Sequence, residues 1–479
     1  MQGPALGFLD RYYSYLAFAV LALAAFNLFF RLTQETVAEW DESLYGVSAW
    51  EMTQTGSVVA TTFDGHLDYY NTKPPLNVWF IALAFKTLGV NLLSLRLTSA
   101  TIAWLTVLLL QRWTKRILGP AVSIMASLVL ATAFGFLHVH SGRSGTPDAP
   151  FTLLILLTAV TLLAAHEHPA QRMWLGPLAA AAFMLKGPAV LMPVMMVLLV
   201  EAWTRREGPR RWGPVAVGVL LFVVPVAAYV VARWRIDQWD FLGRIVNHDL
   251  VALSLTPLEG HEGGPLYFLN MLQRYQYDWL AAMLLVALLT REAWRPWVSG
   301  IVQSLRERSA LAVVLTAWAL VTLLIPTAMQ TKLPWYLNPF YPVFAIVAGS
   351  VLVRALDAAG RRPWRLAAVG GVIAVTVLVA ESKSLCQSYQ VRNLHLSTQG
   401  MLLTSGVRDG RRVFRDCTHH DEAFVVKAMM GEDFRVVGDV DDFLFEARPG
   451  DLFLSSVDVS APNLSFIGRA RGHSMYQLD

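Results

Sequence analysis

The sequence predicts a polytopic α-helical membrane protein with 11 to 13 transmembrane helices and a small C-terminal α/β domain outside the membrane. Of its 479 residues, 55% are hydrophobic and only 15% are charged, whereas about a quarter are charged in a soluble chain. The apolar residues form runs of about 18 to 22, the length that crosses a bilayer as a helix. The chain is also rich in tryptophan and tyrosine, with 16 and 14 copies, and these side chains collect at membrane interfaces.

The N-terminal apolar run, "YSYLAFAVLALAAFNLFF", is too long for the core of a signal peptide and predicts a retained first helix. The net charge is only +4, and it comes from arginine-rich loops. The sequence contains no Gly-rich phosphate loop, zinc-finger spacing or GxSxG motif. These observations argue against a nucleic-acid-binding protein, a P-loop enzyme and a serine hydrolase.

The arginine-rich loops set the orientation of the helices. Most arginines lie in four loops, which the positive-inside rule places in the cytoplasm: 111–116, 204–211, 291–309 and 354–365. The N-terminus is then cytoplasmic and the C-terminus lies outside. The 11 predicted spans are 11–31, 92–112, 117–137, 150–166, 172–186, 188–203, 213–233, 264–290, 310–328, 334–353 and 366–384. Segment 74–90 is expected to be interfacial or partly inserted; if it crosses, a further span is needed, which gives 13.

The composition changes after residue 385, so we divide the chain into a transmembrane domain, 1–385, and an extracytoplasmic domain, 386–479. Short apolar pieces separated by turn residues predict strands at 411–416, 434–440, 451–456 and 464–470. A helix is expected around 421–431. Both cysteines, Cys386 and Cys417, fall in this domain. A disulfide and two separate thiols both remain open, because the sequence does not give their distance.

The predicted topology places all chemically distinctive loops on the outer face. These loops carry the acid pair Asp41–Glu42 and the acid Asp148. They also carry four cations close to helix ends: Lys73, Lys186, Lys332 and Arg143. Carboxylates and cations thus meet at the mouths of apolar helices.

The surroundings of these cations suggest fixed positions. Pro74 and Pro75 restrict the backbone around Lys73. Lys186 lies between apolar residues, where a charge is costly unless it lines a polar cavity or meets an anion. The Gly187–Pro188 break beside it frees backbone groups that need a cavity or protein around them.

A lipid-phosphate sugar donor suits this set of residues. Its tail would lie in the bilayer and its phosphate at the interface, where lysine and arginine can hold it. A phosphate leaves readily without a strong general acid, and one carboxylate suffices as the base for an acceptor hydroxyl. A single displacement of this kind inverts the anomeric centre.

Other interpretations remain open at this stage. The acids could form a solvated loop face, and Lys73 and Lys332 could simply reach the interface from helix ends. A transporter or flippase for an anionic lipid would also use buried lysines and broken helices. Transporters usually show internal repeats and functional loops on both faces, and neither is evident here. A non-catalytic scaffold would leave the acid and lysine loops unexplained.

The ordered motifs resemble the GT-C glycosyltransferases, in the branch of the aminoarabinose transferases and protein O-mannosyltransferases. The phrase "WDESLY" is followed by "WEMTQTG", "KPPL" and "LGVNLLSLRL", and later by "RSGTPDAP", "LKGPAVL", "HEGGPLYFL" and "KLPWYLNPFYP". The resemblance covers about residues 10 to 350 in order. It implies the GT-C fold and a polyprenyl-phosphate-sugar transferase at the outer face of a bacterial inner membrane.

The resemblance also implies roles for individual residues. Asp41 is the candidate base or acceptor-positioning carboxylate, Asp148 the second functional acid, and Glu42 a further candidate with no assigned task. The implied ligands of the donor phosphate are Lys73, Lys186, Arg143 and Lys332, and the substrate pocket includes Tyr45, Tyr336 and His261.

The sequence departs from the branch at a metal site. Aminoarabinose transferases carry an acid immediately before the "KPP" lysine, which joins a histidine at a bound zinc. Thr72 occupies this position here, although His261 could match the histidine. Asp68 could replace the missing acid only if the loop is rearranged. A divalent metal is thus an open alternative that the motif does not support, and no cofactor or metal ligand is assigned.

The expected partners are a polyprenyl-phosphate-linked sugar, membrane lipid and an acceptor that is a lipid, a glycan or a protein. No nucleic acid is expected, and the chain is expected to be monomeric. Neither the sugar nor the acceptor can be read from the sequence.

Overall fold

The computed structural model describes residues 4–37, 39–204, 212–258, 260–360, 362–404, 410–416, 421–470 and 473–479. Helices dominate it. The first ten are α1 (Pro4–Arg11), α2 (Tyr13–Phe29), α3 (Glu39–Thr55), α4 (Leu76–Leu88), α5 (Leu92–Leu118), α6 (Pro120–Ala131), α7 (Phe134–His138), α8 (Asp148–Glu167), α9 (Leu175–Lys186) and α10 (Leu191–Trp203). The next ten are α11 (Trp212–Asp237), α12 (Asp240–Arg244), α13 (Leu253–Leu255), α14 (Tyr267–Leu289), α15 (Trp294–Arg306), α16 (Ala310–Ala328), α17 (Tyr341–Ala359), α18 (Pro363–Cys386), α19 (Thr398–Thr404) and α20 (Val440–Glu446).

The chain is a multi-pass membrane protein, as the apolar runs predict. Among the described residues, eight helical segments are long and apolar enough to cross a membrane. Each of the 11 predicted spans coincides with a helix: α2, α5, α6, α8, α9, α10, α11, α14, α16, α17 and α18. The count by length and composition is three lower, because 169–203 forms one segment in it and because α6 and α14 are not among the eight. Helix α6 is only 12 residues long.

Segment 169–203 contains a reversal of the chain. Helix α9 ends at Lys186, and Gly187 adopts a φ of 52° that a residue with a Cβ rarely adopts. Arg172, before α9, lies 3.2 Å from Glu201 near the end of α10. The two helices therefore run antiparallel, and the turn between them carries Lys186.

Helix α4 lies within predicted segment 74–90. It has 13 residues, which span only about 20 Å at 1.5 Å per residue. A bilayer core is about 30 Å thick. The length of α4 fits the interfacial or partly inserted position expected for this segment.

Small residues let the membrane helices approach closely. Gly349 of α17 lies so near α6 that an added Cβ would come within 2.6 Å of the Ala126 backbone nitrogen. Contacts of this kind are common between membrane helices, because dispersion forces there replace the hydrophobic effect.

Gly349→Ala is expected to destabilise the protein by about 1–3 kcal/mol, because α6 and α17 must move apart. Gly371→Ala is the matched control, since an added Cβ there meets no atom within 4 Å. Thermal unfolding of both variants in detergent measures the difference. Equal melting temperatures would contradict the close packing.

A short loop hairpin consists of β1 (Thr62–Phe63) and β2 (His66–Leu67). The C-terminal region contains five further strands: β3 (Val413–Arg415), β4 (Phe434–Val436), β5 (Leu452–Ser455), β6 (Leu464–Ala470) and β7 (His473–Leu478). They form a mixed sheet with the order β4-β3-β5-β7-β6. β3, β4 and β5 are parallel, whereas β7 is antiparallel to β5 and β6. The four predicted strands and the helical segment are present, the latter as a π-helix at Phe424–Met430, and β7 is additional.

This C-terminal region packs against the helix that carries the acid pair. The backbone N–H of Phe424 donates to Ser43 Oγ at 3.0 Å, and the Phe424 ring lies against Gly46 of α3. Phe85 of α4 stacks on the same ring at 5.8 Å. The two regions thus share one apolar cluster, and the domain boundary at residue 386 stays a prediction.

The two alternatives for the cysteines, a disulfide or separate thiols, both stay open. Cys386 is exposed, and its thiol donates to Gln390 Oε1 at 3.2 Å. Cys417 lies outside the described residues.

Candidate active site

A cavity of about 640 Å³ opens where the predicted outer loops meet. A smaller, more apolar cavity of about 140 Å³ adjoins it, and Lys73, Asp148, Lys186 and Tyr336 line both. The larger cavity is also lined by Trp40, Asp41, Tyr45, Tyr70, Asn71, His140, His248, His261, Trp335 and Asp421. Seven of the ten predicted site residues therefore line the larger cavity.

Asp41 lies in the first turn of α3 and faces the larger cavity. Its side chain is 43% exposed, and its Oδ2 lies 4.0 Å from Nδ1 of His140. Desolvation by the surrounding protein raises the pKa of the carboxyl group, and the charges of Lys73, Lys186 and His261 oppose this rise. The carboxylate is thus more basic than an ordinary aspartate.

The wall beside Asp41 is formed by His140. Its ring stacks on Trp335 at 3.8 Å, and the side chain is buried. Burial, helped by the charge of Lys186, lowers the pKa of His140 to about 3. The imidazole is therefore neutral at pH 7. No sequence motif marks His140, because the RSGTPD phrase of this loop begins only at Arg143.

Asp148 and Lys186 form a buried ion pair between α8 and α9. Nζ of Lys186 lies 2.8 Å from Oδ1 of Asp148, and their side chains are 12% and 3% exposed. Asp148 begins α8 directly after Pro147, and Lys186 ends α9 at the chain reversal. The two helix ends thus place a cation and an anion together at the junction of the two cavities.

Lys73 is held by a partner that sequence analysis missed. Its Nζ lies 3.4 Å from Asp249 Oδ2. Asp249 also accepts a hydrogen bond from Thr72 Oγ1 at 2.5 Å and lies 3.0 Å from His248 Nδ1. Although burial opposes it, Lys73 with the bonds from Thr72 and His248 lowers the pKa of Asp249. The only sequence signal was an acid next to a histidine in an outer loop.

Asp249 places a carboxylate beside Thr72, the position where aminoarabinose transferases carry an acid. The oxygens of Asp249 face the Thr72 hydroxyl, the Lys73 ammonium and the His248 imidazole. No group of three or more His, Cys, Asp or Glu residues suited to a metal occurs within the described part of the chain. The described residues at this point of the site therefore do not fit a bound zinc, and no step is derived through one.

Glu42 does not face the cavity. It is fully buried, and its Oε1 accepts hydrogen bonds from Arg96 Nε at 2.7 Å and from the Gly145 N–H at 2.9 Å. This geometry argues against the predicted catalytic role. Because Glu42 faces away from the cavity, it anchors α3 from behind while its neighbour Asp41 faces the substrate space.

Arg143 is also directed away from the cavity. Its guanidinium donates to Glu35 Oε1 at 2.6 Å and to the carbonyl oxygens of Asn27 and Phe30 at 2.5 and 2.8 Å. The side chain is 1% exposed. The predicted phosphate-binding role is not supported, because these acceptors already occupy its donors.

Lys332 is the third residue whose predicted role the geometry argues against. Its ammonium donates to the carbonyl oxygens of Thr327, at 2.6 Å, and Met329. These carbonyls lie at the C-terminal end of α16, where the helix dipole favours a cation. Lys332 therefore caps a helix instead of lining either cavity.

Glu35, Glu42, Arg96, Arg143 and Arg392 form one buried ionic cluster behind the site. Arg392 lies 3.4 Å from Glu35 and 3.6 Å from Glu42. All five side chains are at most 7% exposed. Burial alone would raise the pKa of Glu35, but Arg392 and Arg143 hold it at about 2. We call these residues the arginine cluster.

The helix bundle and its C-terminal sheet have the GT-C fold. The structure aligns with ArnT from Cupriavidus metallidurans in the apo state with a TM-score of 0.71, at 16% identity over 97% of this chain and 98% of that one. The same enzyme bound to undecaprenyl phosphate gives 0.70 at 15% identity, with 96% and 97% covered. An oligosaccharyltransferase from Archaeoglobus fulgidus gives 0.54 at 13% identity, over 90% of this chain and 64% of that one.

In sequence, the chain resembles the aminoarabinose-transferase branch of this superfamily. It is 29% identical over 376 residues to an undecaprenyl phosphate-α-4-amino-4-deoxy-L-arabinose arabinosyl transferase of Pseudomonas fluorescens, and 30% identical over 375 residues to a second one. These matches cover 75% of this chain but only 60% and 62% of the relatives. Residues 72–229 match the family model of dolichyl-phosphate-mannose-protein mannosyltransferases.

Proposed function

We propose that the chain is an inverting glycosyltransferase that moves a sugar from a polyprenyl-phosphate donor to an acceptor hydroxyl. The observation that carries this proposal is the common cavity of Asp41, Lys73 and Lys186 at the ends of membrane helices. Such a cavity gives a base and a phosphate site within reach of a lipid. The named relatives, which act on an undecaprenyl-phosphate sugar, support the same chemistry.

The smaller cavity is the proposed position of the donor phosphate and the start of its lipid chain. Lys73 and Lys186 contribute two ammonium groups, and Leu250, Leu253 and Met192 contribute apolar surface. The ammonium groups hold the phosphate and stabilise its charge as it leaves. This apolar surface is the proposed exit by which the prenyl chain leaves the cavity for the bilayer.

The acceptor enters from the larger cavity. Asp41 takes the proton from its hydroxyl while the oxygen attacks the anomeric carbon, and the bond to the phosphate oxygen breaks on the opposite face. The donor phosphate leaves as the lipid monophosphate, and the anomeric configuration inverts. Asp148 is the proposed positioning partner of Lys186, and Tyr45, Tyr336 and His261 form the surrounding substrate pocket.

The reaction is proposed to occur on the periplasmic side of a bacterial inner membrane. The arginine-rich loops favour a cytoplasmic position for the opposite ends of the helices. Residues 386–479 are then a periplasmic domain above the cavity. The acceptor is a lipid, a glycan or a protein.

The proposal is tested with purified protein, undecaprenyl-phosphate-linked sugars and envelope extracts as acceptors. Mass spectrometry of envelope lipids, glycans and glycoproteins from cells with and without the protein identifies the natural acceptor. Transfer of a sugar with release of undecaprenyl phosphate is the expected result. A chain that moves the intact donor between leaflets without breaking the sugar–phosphate bond would contradict it.

Lys73→Met is expected to weaken binding of undecaprenyl phosphate by about tenfold or more, the loss expected for one charge-assisted hydrogen bond. Asp249 keeps Thr72 and His248 as partners in this variant, so the local fold should persist. Lys86→Met, which removes an exposed lysine from α4, is the control. Equal affinities of the two variants would contradict the role of Lys73.

A further inference from the structure

A second polar site lies on the lipid-facing side of the bundle, between α14 and α18. It is a groove of about 550 Å³, and none of its lining residues lines either cavity of the candidate active site. Lys383 and Asp278 form an ion pair here, with 2.5 Å between Nζ and Oδ2. Ionisable residues in membrane helices are costly and usually functional.

The two members of the ion pair differ in their exposure to the groove. The Asp278 side chain is only 1% exposed, whereas Lys383 is 18% exposed and lines the groove. The ammonium also donates to the Tyr275 carbonyl oxygen at 2.8 Å. An ammonium has three donors, and the described residues accept from two of them, which leaves the third for a ligand in the groove.

The other polar groups of the groove also suit an anion. Tyr277, Ser382 and Gln387 line it with a phenol, a hydroxyl and an amide, all of which donate hydrogen bonds. No carboxylate lines the groove among the residues that the structure describes. The ligand chemistry that fits is an acceptor-rich anion such as a phosphate.

The remaining lining is apolar and open to the bilayer. Val375 and Leu378 are 59% and 66% exposed and follow the surface of α18. Lys383 lies about 20 residues, or about 30 Å, after the start of α18 at Pro363. This distance equals the thickness of the hydrocarbon core, so Lys383 lies at the depth of the outer head groups.

We propose that this groove binds one membrane phospholipid, with Lys383 as the ligand of its phosphate and the α18 surface against its acyl chains. The site is independent of the proposed donor site, because the two share no lining residue. Phe134, whose ring lies 5.2 Å from the Lys383 ammonium, begins the short helix α7. The chain runs from α7 directly to His140 in the active-site wall, so a lipid in the groove would contact the segment that supports the site.

The test uses the delipidated full-length protein in detergent, titrated with phosphatidylglycerol and followed by native mass spectrometry. The wild type is expected to bind one phosphatidylglycerol at least about tenfold more tightly than a diacylglycerol with the same chains. Equal binding of the two lipids would overturn the proposal, because the phosphate would then contribute nothing. Displacement of the lipid by inorganic phosphate would also overturn it, since the site would then belong to a free anion.

The variant pair separates binding from folding. Lys383→Met combined with Asp278→Asn removes both charges at similar volume, and it is expected to weaken phosphatidylglycerol binding about tenfold, whereas Lys383→Arg retains it. Lys86→Met again controls for loss of any membrane-surface lysine. Unchanged binding in the folded double variant, or an equal loss in Lys86→Met, would refute the assignment.

A measurement on the wild type covers the case in which the double variant does not fold. Phosphatidylglycerol with a photoreactive group near its head is expected to label residues 375–391. Labelling confined to other helices would exclude the groove as the site.

Discussion

Asp41→Asn is expected to lower the rate of sugar transfer by about 10²- to 10⁴-fold, the usual contribution of a positioned general base. The amide has almost the same shape as the carboxylate but cannot accept the hydroxyl proton. Because Asp41 lines an open cavity and its side chain is 43% exposed, the variant should fold normally. Donor binding should persist, since Lys73 and Lys186 are unchanged.

The pH dependence of transfer gives an independent measurement of the same role. Only ionised Asp41 acts as a base, and its pKa is raised by desolvation. The kcat/KM of the wild type should therefore fall on acidification at a higher pH than for an ordinary aspartate, and this limb should vanish in Asp41→Asn. Asp441→Asn, at an exposed position of α20, is the control. Full activity of Asp41→Asn would show that another group is the base.

Arg143→Met is expected to destabilise the protein by about 3–5 kcal/mol, because it leaves Glu35 buried without its closest cation. The carbonyl oxygens of Asn27 and Phe30 lose their donors in the same variant. Thermal unfolding and the yield of folded protein report the change. Adding Glu35→Gln should recover part of the loss, because the unpaired charge is then gone.

A surface arginine with two carboxylate partners provides the matched control. Arg435 is 48% exposed and contacts Asp433 and Glu446, and exposed pairs contribute at most about 1 kcal/mol. Arg435→Met should therefore melt close to the wild type. If Arg143→Met melts at the same temperature as Arg435→Met, the arginine cluster does not stabilise the loop that carries Glu35.

The fold was largely predictable because its signals are local. Each signal, whether an apolar run, a cluster of loop arginines or a short apolar strand, can be read from neighbouring residues. The helices and four of the strands lie where these signals predict them. The strand β7 was missed because "HSMYQL" has weak alternation and gains its strand character from pairing with β5 and β6. The reversal at Gly187 was marked by its Gly-Pro break.

The site was only partly predictable, because contacts across the chain decide it. Asp41, Lys73, Asp148 and Lys186 lie in the ordered set of motifs that resembles the family, and they share the cavity. Asp249 was missed because it follows Thr72 by 177 residues in the chain, and only the fold brings the two side chains into contact. Arg143 and Lys332 were assigned to phosphate because sequence shows a cation at a helix mouth but not the acceptors that already surround it.

The arginine cluster joins residues that the ribosome adds early, such as Glu35, to a residue that it adds late, Arg392. The Ser388 hydroxyl that donates to Glu35 follows it by 353 residues, and Arg392 is added later still. At about 5–20 residues per second, the ribosome needs roughly 20 to 70 s for this interval. During this time Glu35 has Arg143 as a partner but lacks Ser388 and Arg392. The ionic support behind the active site is therefore completed last, so a nascent chain in the membrane is expected to lack a competent site until its translation is nearly finished.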